Sequence, residues 1–592
     1  MSCSNRYVND IESIYASRDE QFKHINTQKN FVKYAEVVEN LYDFFKQNEY
    51  NNNLLILFTK LYSKLHRRND IIVKKSFLVY TYQRLIKENI IPYNYQFWLL
   101  IQKKPARSSS GVNSFAILLS DKPNGQNFTC KHNCYFCPDV PGVARSYLPK
   151  EPAVARGLEN NWDPIKQIES RLYSLLMQGH EIDKLELIIE GGTYTEFPIN
   201  YLYWFHSCIF FASNTFFDSE PKRDMKSLKE EMNINKNTKV RVIGICIETR
   251  PDAIDDHWIR FFRNSGTTRI QLGVQHTDDT ILKKINRGHT FDDSVKAVEY
   301  LKNQGFKVDI HLLPDMPFST PEKDLEMFNI VFNTSIIQPD QIKIYPCEAT
   351  DYTVIKKWYE NGKYVPYSEI NSQQLVNVVY QAMLWCKPWI RIPRIVRDIP
   401  IDYISAGNKM MNLREIVDKK ITENNKITWD IRSREICRNK NYSLTQSRIF
   451  IDSYYGSNSR EFFISVRSYD KKALFGFIRL RIPPKNHNPV FSSIKNTGLI
   501  RELHVYNILV PVGENKKNSS QHQGIGKKLI KIAEWISWFY CLRGISVITG
   551  EGVRDYYHNR GYKSIETYAI KYFILQFKVL IVLIFSLILF IL

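Results

Sequence analysis

Short apolar runs separated by amphipathic stretches dominate the middle of the chain. FAILLS (115–120), LELIIE (185–190), VRVIGICIE (240–248), TRIQLGV (268–274), KVDIHLL (307–313) and DQIKIYP (340–346) are each the length of one buried strand. The intervening segments place apolar residues at helical spacing, as in QIESRLYSLLMQG (167–179). Alternation of this kind predicts a parallel sheet covered by helices, about six βα units in a full or partial barrel, with ligands at the C-terminal strand ends. Upstream, FVKYAEVVENLYDFFKQ (31–47) and LLILFTKLYSKLHR (54–67) have a helical period, with Val37, Leu41, Phe44 and Phe45 on one face.

After about Pro393 the pattern changes. FFISVRSYD (462–470), ALFGFIRLRI (473–482) and LIRELHVYNILVPV (499–512) predict antiparallel strands, followed by the helix KKLIKIAEWI (527–536) and two more strands. The expected organisation is a helical region over 1–95, a barrel over 96–392, a connector over 393–438 and a second α/β domain over 439–572. The last segment, 573–592, carries one charge, Lys578, and is otherwise almost wholly apolar. As a helix of about 1.5 Å per residue it would span roughly 30 Å, so it predicts a C-terminal transmembrane anchor.

Composition narrows the partners. Hydrophobic residues at 44% exclude a disordered chain, and 81 Lys+Arg against 61 Asp+Glu favour a polyanion such as nucleic acid or an anionic membrane surface. Ten cysteines in 592 residues, without a secretory signal at the N-terminus, argue against a disulfide scaffold.

Three of those cysteines carry the most specific chemistry. Cys130, Cys134 and Cys137 form C-x3-C-x2-C directly after the first predicted strand, with Phe136 before the last. Three thiolates hold three irons of a four-iron cluster and leave the fourth open to a substrate. A zinc site using His132 and a disulfide are the competing readings. The motif resembles that of the radical S-adenosylmethionine (SAM) enzymes, whose Gly-Gly element receives the methionine amino group; Gly191 and Gly192 stand at that place. Glu248, Gln271, Gln275, His311 and Lys343 fall at strand ends that line a barrel mouth.

In the second domain, Gln521-His522-Gln523-Gly524-Ile525-Gly526 fits Q-x-x-G-x-G at a helix start, where bare N–H groups and the helix dipole bind pyrophosphate. It is similar to the acetyl-CoA loop of GNAT acetyltransferases, which also place a tyrosine near the thioester; Tyr556 and Tyr557 are the candidates.

A radical SAM barrel followed by a GNAT domain resembles the catalytic subunit of Elongator. The resemblance covers roughly 90–572 and includes RSSSG, EPAVARG, EGGT, IETRPD, NRGHT, RDIP, RELHVY, QHQGIG and GVRDYY. It implies a [4Fe-4S] cluster on Cys130, Cys134 and Cys137, SAM at Gly191 and Gly192, and acetyl-CoA as co-substrate. The acetyl-CoA set would be Lys184, Glu502, Leu503, His504, Val505, Gln521, Gly524, Ile525, Gly526, Lys527 and Tyr557, with Lys184 and Tyr557 catalytic. The implied reaction is carboxymethylation of the tRNA wobble uridine at carbon 5, by a SAM-derived radical that activates the acetyl methyl group. Region 1–95 would contact tRNA, and Elongator-like subunits and a second copy of the chain are the implied protein partners. Some apicomplexan members resemble this chain in having an apolar tail, which implies tail anchoring at the mitochondrial outer membrane, or at the endoplasmic reticulum, with the catalytic domains in the cytosol. Protein lysine acetylation is the alternative activity, disfavoured because it needs no cysteine triad.

Overall fold

Seven strands form the first sheet: β1 (Asn113–Leu118), β2 (Lys184–Glu190), β3 (Arg241–Thr249), β4 (Thr267–Gln275), β5 (Lys307–Leu312), β6 (Gln341–Ile344) and, after a short β7 (Glu348–Thr350), β8 (Arg391–Ile395). The order is β1-β2-β3-β4-β5-β6-β8, and every neighbouring pair is parallel. This computed structural model describes residues 28–48, 52–68, 74–104, 111–439, 441–506 and 524–573. The sheet runs in chain order without closing on itself, a partial barrel whose helices cover the outer face. Alternation decides the two faces. In β2 Leu185, Leu187 and Ile189 are buried under the helices, while Lys184, Glu186, Ile188 and Glu190 point the other way, into the lumen.

The sheet has one strand more than the six expected units. β8 straddles the expected boundary at 392/393, and the connector follows it. Its sequence RIPRI holds two arginines and a proline in five residues, so it has no apolar run to read. Partners in the connector hold it: Ile392 N donates to Asp430 Oδ1 at 2.7 Å, and Arg391 Nε donates to Glu435 Oε1 at 2.9 Å. β9 (Ile404–Gly407) pairs with β7 in a separate two-stranded sheet.

The second sheet is built from β10 (Ser447–Gly456), β11 (Ser459–Ser468), β12 (Leu474–Ile482), β13 (Thr497–Val505), β14 (Gly544–Ile548), β15 (Lys563–Ile565) and β16 (Tyr568–Tyr572), in the order β10-β11-β12-β13-β14-β16-β15. All its pairs are antiparallel except β13 with β14. A parallel pair needs a crossover, and the helix Ile525–Phe539 lies within it, burying Ile525, Leu529, Ile530 and Ala533. Strands β10 and β15 add to those expected from sequence; β10 is an edge strand with one exposed face, and β15 is three residues long.

The second domain docks on the N-terminal ends of the parallel strands. Lys307, the first residue of β5, donates to Glu502 Oε1 at 2.5 Å, and Tyr568 Oη donates to the Gln304 carbonyl at 2.8 Å. Gly550 lies so close to β3 that a Cβ there would collide with the Ile243 carbonyl. Buried charge fills the rest of the joint: Lys302 and Asp340 from the barrel meet Glu461, Arg479, Arg481 and Arg501. Among the described residues, the helices Gln28–Lys46, Asn52–Arg68, Lys75–Lys87 and Tyr95–Ile101 belong to the N-terminal region and share the barrel's apolar core.

Among the described residues no helix is long and apolar enough to cross a membrane. Of the expected anchor 573–592, all but Phe573 lies outside the described residues, as does the part of the expected phosphate loop that falls on 507–523.

Candidate active site

The cysteine loop sits at the C-terminal ends of the parallel strands, held by residues that end them. Thr193, just past β2, lies with Oγ1 3.4 Å from Cys130 Sγ. Arg250, just past β3, points Nη1 at Cys134 Sγ (3.8 Å), and Arg287 Nη1 approaches the same sulfur at 3.5 Å. Both guanidiniums are themselves fixed, Arg250 by Asp252 at 3.0 Å and Arg287 by the Gly273 carbonyl at 2.5 Å. Arg145 stands beside Cys137 and pairs with Asp139 at 3.2 Å.

This donor set fits a metal cluster. Burial, with the neighbouring Cys134 adding to it, pushes the Cys137 thiol up, and Arg145 beside it pulls the other way. Three guanidiniums ring the loop and offset the charge of a thiolate-bound cluster. Among the described residues no three His, Cys, Asp or Glu side chains converge on one point as ligands of a single ion. A four-iron cluster asks for something different, since each cysteine binds a separate iron.

Gly191 and Gly192 have φ of +145° and +103°, and a Cβ on Gly191 would lie 2.9 Å from Leu119 Cβ. Backbone in this region, pressed against β1, accepts only glycine at low cost and leaves its polar groups open beside the cysteine loop.

One cavity of about 1000 Å³ runs from this end, at Phe136, Pro138 and Tyr147, down the barrel lumen to the second domain. Its upper wall is a connected polar set. Tyr147 Oη donates to Glu248 Oε2 at 3.1 Å, His311 Nδ1 is 3.4 Å from Glu248 Oε1, and His311 Nε2 is 3.1 Å from Gln271 Oε1, which also accepts from Lys343 Nζ at 2.5 Å. Burial alone would raise the Glu248 carboxyl, but His311, Lys343 and Arg397 hold it down at about 2. Burial pushes nearby Glu190 up to about 7, against the pull of Lys343. Two carboxyls at one lumen end thus differ in proton affinity, one fixed as an anion and one able to exchange a proton near neutrality.

At the other end Lys184, Glu502, Leu503, His504, Val505, Gly526 and Tyr557 line the same cavity. The resemblance implied that they act together although they lie on four separate segments. Lys184 Nζ pairs with Asp183 at 3.1 Å, and Glu502 is held by Lys307 and by Arg479, whose Nε donates at 2.8 Å. Gly524 caps the helix Ile525–Phe539 with φ +75°, a left-handed turn that needs glycine at low cost. A Cβ on Gly526 would run into Tyr556 Oη. Ile525 is buried in the core and Lys527 is exposed; neither lines the cavity, and Gln521 lies outside the described residues. Sequence reasoning missed Arg145, Arg250, Arg287 and Tyr147. Arg250 and Arg287 sit inside IETRPD and NRGHT, and for Arg250, the residue after β3, an arginine just past a strand end was the available signal.

Comparison with known proteins gives a consistent picture. A Radical SAM superfamily model matches 201–328 and a Radical_SAM C-terminal domain model matches 339–423. The chain is 34% identical over 475 residues to a tRNA uridine(34) acetyltransferase of Dehalococcoides mccartyi, covering 79% of this chain and 99% of that one. It is 35% identical to the enzyme of that name from Methanocaldococcus jannaschii (80% and 86% covered), and 32% identical to Elongator complex protein 3 of Schizosaccharomyces pombe (78% and 85%). The solved archaeal Methanocaldococcus infernus Elp3 with an N-terminal deletion superposes with a TM-score of 0.67 at 33% identity, over 78% of this chain and 99% of that one.

Proposed function

The chain belongs to the family of the tRNA uridine(34) acetyltransferases and Elongator complex protein 3, and from that premise we propose that it modifies the wobble uridine of tRNA as the catalytic subunit of an Elongator-like complex. The product of this reading is a carboxymethyl group on carbon 5, with its carbon drawn from acetyl-CoA.

The observation that carries the proposal is the single cavity lined at one end by residues of the cysteine loop and at the other by β13, Gly526 and Tyr557. Two chemistries that must meet in one product share one cavity. Cys130, Cys134 and Cys137 would hold a [4Fe-4S] cluster, which when bound supplies the electron for reductive cleavage of SAM. Gly191 and Gly192 would receive the methionine end of SAM, and Arg250 and Arg287 offset negative charge at Cys134. Glu190 is placed to take or give a proton near neutral pH, while Glu248 stays an anion that orients His311 and Tyr147.

The second domain reads as a GNAT fold: the parallel pair β13 and β14, the crossover helix opening at Gly524 and the tyrosine at 557 support that reading. There the helix start would take the pyrophosphate of acetyl-CoA, and Lys184 and Tyr557 would stand at its thioester. The net charge of +20, with exposed Lys103 and Lys104 beside the N-terminal helices, suits a tRNA partner. Residues 573–592 would tether the enzyme to a membrane with both domains in the cytosol; release into the soluble fraction only on truncation after Tyr572 is the expected result, and a soluble full-length protein opposes it. The direct test of the enzyme reading is anaerobic reconstitution with iron and sulfide. Formation of 5′-deoxyadenosine from SAM, stimulated by tRNA, supports it, and no cleavage by a cluster-loaded protein refutes it.

A further inference from the structure

The outer face of the helix Ile525–Phe539 presents bare aromatic rings to solvent. Trp535 is 70% exposed and Phe539 75%, the two most exposed aromatic side chains among the described residues. They stand one turn apart on one face of the helix, with Lys531 one turn and Lys528 two turns before Trp535, while Leu529, Ile530 and Ala533 are buried on the other side. Tyr540 and Tyr572, each 45% exposed, continue the patch. A contiguous apolar surface of this kind marks an interaction site.

Three contacts put the patch where the chain leaves the domain. Phe573 N donates to the Arg543 carbonyl at 2.9 Å, and the Arg543 guanidinium stands 5.1 Å from the centre of the Tyr572 ring. Lys571 on β16 pairs at 3.0 Å with Glu534, the one acidic residue of the helix and the neighbour of Trp535. With that carboxylate matched, exposed Lys528, Lys531 and Arg543 leave the face basic.

The chain that follows selects the partner. Only five residues lead from Phe573 to Lys578, the last charge before the apolar run 579–592. Fully extended, five residues reach at most about 18 Å, so a bilayer that takes up the run lies within that distance of Phe573. Tryptophan and tyrosine rings favour the headgroup level of a membrane, and lysine and arginine favour anionic lipids, so the composition of the face matches the surface that the short leash brings to it.

We propose that this face rests on an anionic bilayer surface, with Trp535 and Phe539 seated at headgroup level and Lys528, Lys531 and Arg543 against the anionic lipids. The inference rests on the reading that 573–592 is a membrane tether, and adds that the second domain itself docks on the membrane in one orientation instead of hanging free from the tail. Without the tail the face binds weakly and reversibly, because its apolar area is small.

The test uses the full-length protein with vesicles of phosphatidylcholine and phosphatidylserine brominated near the top of the acyl chains, which quench a tryptophan only on contact. Flotation reports the tether, and quenching reports the face. The parent is expected to float; Trp535→Phe, which keeps an aromatic ring, should float equally but lose at least half of the quenched emission. Lys528→Ala combined with Lys531→Ala, or vesicles of phosphatidylcholine alone, should lower the quenching at least twofold without releasing the protein. All three side chains are exposed, so the melting temperatures of these variants in detergent should match the parent's. A parent that floats but is quenched no more than Trp535→Phe overturns the docked face and leaves the tether standing. Quenching that ignores both the lysines and the lipid charge overturns the anionic surface. A parent that stays out of vesicles of both compositions refutes the tether, and the docked face with it.

Discussion

Arg501 donates from Nη2 to Asp340 Oδ1 at 2.8 Å, an ion pair that joins the second domain to the barrel with both side chains fully out of solvent. Asp340 also accepts from Val308 N at 2.9 Å and faces Arg479 at 3.5 Å, so one carboxylate ties β5, β12 and β13 together. The pair fixes the second domain at the N-terminal strand ends, and with it the alignment of the two halves of the cavity.

Removing one partner of such a pair leaves a buried charge uncompensated, which costs about 3–5 kcal/mol. Asp340→Asn is therefore expected to lower stability to urea by that amount. An Asp340→Asn protein within about 1 kcal/mol of the parent would contradict the assignment.

The same joint predicts acid sensitivity. Burial would raise the Glu502 carboxyl, yet Lys307 and Arg479 hold it down at about 2, and Arg501, Lys302 and Arg481 depress Glu461 against its burial in the same way. In the unfolded chain a glutamate titrates near about 4.3. Below that value the unfolded state binds more protons than the folded one, so the stabilisation is complete above about pH 5 and is lost as pH falls toward 2. For Glu502 the difference amounts to at most about 3 kcal/mol. Denaturant midpoints measured from pH 7 to pH 3 should fall steeply below about pH 5, and a flat profile would contradict the buried-carboxylate account.

Much of this architecture was legible in the sequence because burial on both faces produces unbroken apolar runs. β1 to β6 announce themselves in this way, and the cysteine spacing and glycine pair lie where chemistry requires particular residues. The joint between the domains was not legible. Arg479, Arg481, Arg501 and Glu461 sit in strands whose alternation reads as half solvent-facing, yet each is buried, because its partner comes from another domain. β8 was hidden for a related reason: its Arg391 and Arg394 face a polar lumen, so the strand lacks an apolar signature.

Cys134 is the most enclosed of the three loop cysteines and the one approached by two guanidiniums. Cys134→Ser is expected to abolish iron loading and SAM cleavage while acetyl-CoA affinity changes less than twofold, since the two sites lie at opposite ends of the lumen. Iron and sulfide analysis with calorimetry separates these effects. Undiminished SAM cleavage in this variant would remove the cysteines from the site.

Gly526→Val addresses the other end. Its new side chain would displace Tyr556 and intrude where the helix opens on the cavity. Acetyl-CoA affinity is expected to fall at least tenfold by calorimetry, with iron content and SAM cleavage retained. Equal affinity in variant and parent would remove Gly526 from the acetyl-CoA site.

In the proposed function one chain joins a radical SAM site to an acetyl-CoA site in building a modified wobble uridine. Its most direct test supplies acetyl-CoA labelled with ¹³C in the acetyl methyl group to the anaerobically reconstituted enzyme with SAM, a reductant and tRNA, and analyses the tRNA nucleosides by mass spectrometry. The account predicts label in a carboxymethyl group on the wobble uridine, dependent on SAM and on Cys134. Unlabelled uridine beside efficient acetylation of protein lysines, unchanged by Cys134→Ser, would contradict it.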